Sequence, residues 1–137
     1  MFQHILVPVD LTSRNRRSLE LAGTLCAAGG EVTVLHVIEM LDLPLEDLEE
    51  FYERLHDRAV REVDEMAKPL FEAGIAVLER ISYGRRLPEI LQHAEENPTD
   101  LIVMSSRPID RSEPSSGFAS LSHQVAILSQ VPVLLVR

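Results

Sequence analysis

Asp10 closes the apolar run ILVPVD, and Ser105 closes a second one, DLIVMS. A carboxylate at the end of a strand can accept hydrogen bonds from a ribose hydroxyl or a base amine. It can equally cap the helix that follows, with Thr12 and Ser13 competing for that role. The stretch after Ser105, SRPIDRSEPSSGFASL, is rich in groups that suit an anion. Arg107 and Arg111 carry the planar fork that meets a phosphate bidentately. Ser115, Ser116, Gly117, Ser120 and Ser122 offer hydroxyls and a pliant backbone near a helix start. Pro108 and Pro114 work against this, because proline has no N–H to give and its φ is fixed at about −65°. The competing reading of SRPIDRSEPSSG is a solvated surface loop whose arginines pair with nearby acids.

Other chemistries lack their parts. The five histidines, His4, His36, His56, His93 and His123, fall on different elements with no HxxxH pair, so no zinc-type ligand spacing is present. His36 lies inside a strand and reads as a satisfied core or interface histidine. His123 follows the serine-rich loop and is the one histidine placed to reach its crevice. There is no GxSxG, no GxxxxGK[ST] and no SGGxDS-type loop. A phosphoacceptor receiver domain wants an aspartate after its third strand, where Ile81-Ser82-Tyr83 stands. Cys26 is the single cysteine, so there is neither an internal disulfide nor a CxxC site. Its helical spacing from Leu19 and Ala22 reads as packing.

The 137 residues suit one domain, placed here at 1–137, with no repeat, low-complexity tract or linker. A net charge of −9 disfavours nucleic acid, which calls for a basic face. No apolar run approaches the roughly 20 residues of a membrane span. With Met1 leading almost directly into a strand and no cleavage pattern, a cytoplasmic protein is predicted.

The elements that must position these groups follow from the hydrophobic pattern. QHILVPVD, EVTVLHVIE, IAVLERIS, DLIVMS and VPVLLVR read as five strands. Arg14 to Ala28 reads as a helix stopped by Gly29-Gly30. From Leu45 to Ala73, the residues Leu48, Tyr52, Leu55, Ala59, Val63, Met66 and Leu70 recur every three or four positions. That is one face of a long amphipathic helix. Gly84 turns the chain, and Pro88 takes the first position of a third helix carrying Leu87, Ile90, Leu91 and Ala94. Leu121, Val125 and Leu128 mark a fourth helix. Strict alternation of strand and helix predicts an α/β fold, with a parallel sheet, right-handed crossovers and helices on both faces. Ligands in such sheets bind beyond the carboxyl ends of the strands. Asp10, Glu39, Gly84 and Ser105 are therefore the positions to watch.

Taken together, ILVPVD, LHVIE, Gly84 before a proline-initiated helix, DLIVMS and the closing PVLLVR resemble the universal stress protein family over essentially the whole chain. The resemblance implies a three-layer α/β/α sandwich of the adenine-nucleotide alpha-hydrolase-like, Rossmann-like kind. Its five-stranded parallel sheet would run in the order 3-2-1-4-5, so that Asp10 and Ser105 face one crevice. It also implies a homodimer paired through the last strand, where an apolar edge left in water invites pairing. Pro8, Val9, Asp10 and Val37 match the positions that surround adenine and ribose in the family.

Family members that bind ATP resemble one another in a loop of Gly, two residues, Gly, nine residues, Gly, then Ser or Thr. The glycines let the backbone approach the phosphates, and the next helix N-terminus holds the anion. Here Ser105, Pro108 and Ala119 replace the glycines, Ser120 keeps the hydroxyl, and the spacer has ten residues. The candidate nucleotide-binding set is Pro8, Val9, Asp10, Val37, Met104, Ser105, Arg107, Ala119, Ser120 and Leu121, and ATP or AMP is the ligand it would take. Three functions are set against one another. The first is a non-enzymatic stress-response regulator acting through dimerisation and a protein partner, with tight ATP binding lost. The second is a nucleotide sensor with a weakened phosphate loop, and the third a nucleotide hydrolase.

Overall fold

The computed structural model describes residues 1–40, 45–107 and 120–137, with backbone alone for 45–47. Among the described residues, five strands alternate with four helices. They are β1 (Phe2–Pro8), α1 (Asn15–Leu25), β2 (Cys26–Glu39), α2 (Leu45–Glu72), β3 (Ala76–Gly84), α3 (Arg86–Glu96), β4 (Leu101–Ser105), α4 (Leu121–Leu128) and β5 (Val133–Val136). All pairings are parallel, and the order is β3-β2-β1-β4-β5. This is the order the resemblance implied, and it reverses between β1 and β4.

The central strands are apolar on both sides because both sides are covered. Ile5, Val7, Val32, Val34 and Val103 pack with Leu19 and Ala22 of α1 and Val63 and Leu70 of α2. Leu6, Leu35, Val37, Ile102 and Met104 face the other way, against Ile90 of α3 and Val125 of α4. Along α2, Tyr52, Ala59, Val63 and Leu70 are buried as their spacing predicts. No helix among the described residues is long and apolar enough to cross a membrane.

Local expectations fail at three places. Helix α1 ends at Leu25 rather than Ala28, because Cys26 already pairs with Phe2 as the first residue of β2. The register then shifts between Phe2 and His4. Gly29, at φ 79°, sits in the stretch that absorbs the extra residues. Ladder hydrogen bonds win here over a weak local helix preference. Helix α3 starts at Arg86, which makes Pro88 its third residue and not its first. The chemistry is unchanged, since no N–H of the first turn has an intrahelical acceptor. Neither Thr12 nor Ser13 caps α1; Arg14 precedes it in helical geometry with no side-chain cap.

Candidate functional site

Beyond β1 the chain makes a tight polar turn. The Asp10 Oδ1 atom accepts from the Thr12 N–H at 3.0 Å and from the Thr12 hydroxyl at 2.6 Å. Its Oδ2 atom accepts from Arg14 Nη2 at 3.0 Å. Leu11 in between has φ 66°, a region that non-glycine residues enter at a cost. Asp10 therefore shapes this turn and is not a simple helix cap. Partial burial pushes its pKa upward. The Thr12 hydroxyl and N–H, the Arg14 guanidinium and its own N–H outweigh that and hold it below the ordinary carboxylate value.

Asn15, the first residue of α1, ties this turn to the sheet. It is 1% exposed. Its Oδ1 accepts from the N–H groups of Asp10 (3.0 Å) and Thr12 (3.2 Å), and its Nδ2 donates to Ser105 Oγ at 3.3 Å. Ser105 Oγ also lies 2.6 Å from the hydroxyl of Ser18, fully buried one turn along α1, and donates to the Arg14 carbonyl. The hydroxyl that ends β4 is thus turned into α1. A second polar chain runs the other way. The Ser106 N–H donates to the Val136 carbonyl, and the Ser122 hydroxyl donates to Ser106 Oγ at 3.0 Å. Ser120 caps α4, accepting from the His123 N–H, and its hydroxyl is hydrogen-bonded to His123 Nδ1. Two serine-centred clusters therefore pin the end of β4 to a helix on each face.

The other predicted residues divide into buried wall and exposed rim. Pro8 and Val9 are buried at the end of β1, and the Val9 N–H donates to the Leu35 carbonyl. His36 Nδ1 lies 2.8 Å from the Val9 carbonyl, so the proton sits on Nδ1 and the ring holds β1 to β2. Val37 and Met104 are buried in the cluster under α3 and α4, with Leu121 packed against it. Arg107 is exposed. Ala119 lies outside the described residues, as do Pro108, Arg111, Pro114, Ser115, Ser116 and Gly117.

The direction of Val37's backbone follows from the ladder. The Leu35 carbonyl points to β1, where it takes the Val9 N–H, while the Met40 N–H points to β3, where it meets the Gly84 carbonyl. Alternation along the strand therefore turns the N–H and C=O of Val37 toward the β1 side. Paired β1 residues end at Pro8↔Leu35, so these groups face the space past its end. Beside Val37 in the register, Ser82 has a buried hydroxyl oxygen with no hydrogen-bond partner among the described residues.

Asn15, Ser18 and Ser106 were missed from sequence, and Ser122, read there as a hydroxyl open to an anion, donates to Ser106 instead. A signal existed for the first two: Asn15 and Ser18 continue the Leu19–Ala22 stripe of α1 by one turn. Polar residues on an apolar face are buried only with partners, and the partner here, Ser105, is about ninety positions away. Among the described residues, no group of three or more His, Cys, Asp or Glu side chains is arranged to hold a metal ion.

Comparison with known proteins agrees with this architecture. Hypothetical protein MJ0577 superposes with a TM-score of 0.82 at 28% identity, over 99% of this chain and 96% of that one. Universal stress protein UspA from Lactobacillus plantarum gives 0.77 at 24%, over 98% and 97%. A universal stress protein from Archaeoglobus fulgidus, solved in complex with dAMP, gives 0.70 at 22%, over 98% of both chains. In sequence, universal stress protein YxiE of Bacillus subtilis (strain 168) is 27% identical over 149 residues, covering all of both chains. The model of the universal stress protein family matches residues 1–137 from end to end. On the whole-length match, this chain belongs to the universal stress protein family.

Proposed function

We propose that this protein is a non-enzymatic, regulatory universal stress protein that has given up tight ATP binding and acts as a homodimer on a protein partner. The observation that carries the reading is the commitment of the two strand-end side chains. Both oxygens of Asp10 are engaged by Thr12 and Arg14, and the Ser105 hydroxyl is engaged by α1. A ribose or phosphate would have to displace those bonds before making its own. Ser105, Pro108 and Ala119 stand where ATP-binding relatives carry glycine. Losing one charge-assisted N–H contact at Pro108 alone costs about 1.5–3 kcal/mol, or roughly tenfold to more than a hundredfold in affinity. The homodimer is proposed through β5, which is the edge of the sheet next to β4 and leaves Leu134 exposed.

The direct test is calorimetry with ATP and AMP on protein stripped of ligand by unfolding and refolding, with sedimentation of the same sample. The reading expects a dimer and no ATP binding below millimolar concentration. Micromolar ATP affinity, weakened by Asp10→Ala, would overturn it, as would nucleotide turnover lost in that variant.

One observation favours a second reading, a weak adenosine monophosphate site. The Val37 N–H and C=O, turned to the β1 side past the end of that strand, offer the donor and acceptor that the adenine edge needs. The dAMP-bound relative has the same fold, but that likeness extends to the fold alone. AMP binding with no gain on going to ATP would select this reading.

A further inference from the structure

A cleft of about 390 Å³ lies past the ends of β4 and β5, against the start of α1. Its charge is opposite to that of the protein. Arg14, Arg16 and Arg17 line it from α1 and its approach, and Arg137 from the end of β5. Four of the chain's 13 lysines and arginines are thus gathered at a site where Glu20 is the one acid of the lining among the described residues. Glu20 is already paired with Arg16 at 3.3 Å, and Arg14 is paired with Asp10 at 3.0 Å. Arg17 and Arg137 make no ion pair among the described residues. Like charges collected in a concave site on an oppositely charged protein repel one another unless an anion joins them. Val136 is the one apolar residue of the lining, and Ser13, Ser105 and Ser106 complete it. The cleft is on the α1 face of the sheet, whereas Val37, Met104 and Leu121 pack on the α3–α4 face.

We propose that this cleft is an anion site for a phosphate-type dianion, either inorganic phosphate or the phosphoryl end of a small phosphorylated metabolite. Arg17 and Arg137 are its principal ligands. Guanidinium groups meet phosphate oxygens bidentately, so two unpaired arginines match one tetrahedral dianion. The site adjoins the β1–β4 crevice, with Ser105 and Arg14 at their common border, and is completed from the α1 side by Arg17 and from the end of β5 by Arg137.

The test is a calorimetric titration of the full chain with inorganic phosphate, and separately with glycerol phosphate, at ionic strength held constant with chloride. Arg17→Gln and Arg137→Gln are compared with Arg54→Gln, which removes an exposed arginine on α2. Saturable binding is expected, weakened about tenfold or more in each cleft variant and unchanged in Arg54→Gln. Tighter binding of glycerol phosphate would identify a phosphorylated metabolite as the source, and equal binding free phosphate. The proposal is overturned if the native chain shows no saturable binding of either probe. Equal weakening in Arg54→Gln, the signature of a general charge effect, also overturns it. Circular dichroism confirms that the surface variants are folded.

Discussion

Replacing Asn15 with alanine tests whether the polar clamp holds the β1–β4 crevice together. In the native chain one side chain serves three partners: the Asp10 N–H, the Thr12 N–H and Ser105 Oγ. The Thr12 N–H has a second acceptor in Asp10 Oδ1, so it is not orphaned by the change. The Asp10 N–H is left without its acceptor, at a cost of about 1–3 kcal/mol if water does not reach it. The contact with Ser105 is long at 3.3 Å, and Ser18 remains beside that hydroxyl, so its loss adds only about 0.5 kcal/mol. The vacated volume at a site 1% exposed adds a smaller packing loss. The sum is about 2–4 kcal/mol in urea denaturation with an unchanged slope. Hydrogen exchange should quicken most at the Asp10 amide. Asn15→Asp keeps the acceptor but buries a charge beside Asp10, so its pKa rises on folding. Its penalty should be largest at neutral pH and shrink as the solution is acidified through that raised pKa. A loss below about 0.5 kcal/mol for Asn15→Ala, with the Asp10 amide still protected, would refute the clamp, because surface substitutions cost no more than that.

Asp10→Asn keeps an acceptor for Thr12 and removes the charge facing Arg14. Because the Asp10 pKa is lowered on folding, its stabilisation is present above the unfolded carboxylate value and fades as pH falls through the folded one. The two chains should therefore differ at neutral pH and converge in acid, as read from urea midpoints. Gly84 has φ 146°, and a Cβ there would stand 2.7 Å from Glu89 Oε1, so Gly84→Ala should cost about 1–3 kcal/mol. The Glu89 contact is with a flexible side chain and can relax, so Gly84→Ala,Glu89→Ala should recover little of the loss in a thermal melt. Ser120→Ala removes the cap of α4 and should cost about 1 kcal/mol, with faster amide exchange at His123.

The sequence by itself determined the element types, because hydrophobic period is local and each element must bury an apolar face. The run ILVPV is apolar on consecutive residues, short and β-branched, and reads as a buried strand; it is one, covered on both sides. The stripe Tyr52–Ala59–Val63–Leu70 could only be a helix lying on that sheet. Alternation then dictated a parallel sheet, while the order 3-2-1-4-5 came from resemblance and is the order observed. Tertiary structure decided what local pattern cannot carry. Cys26 to Ala28 continue the helical reading in sequence, yet pairing with β1 draws them into β2. Ser105 looked available to a ligand from its place at a strand end. Where its hydroxyl points was set by Asn15 and Ser18, 90 and 87 positions away. Asp10 looked like a ribose ligand or a cap until the turn at Leu11 brought Thr12 and Arg14 onto its two oxygens. The fate of a polar group depends on which partners folding brings within 3 Å or so: for Ser105 they are distant in sequence, and for Asp10 they are two and four positions away but placed by a backbone turn that hydrophobic period does not report.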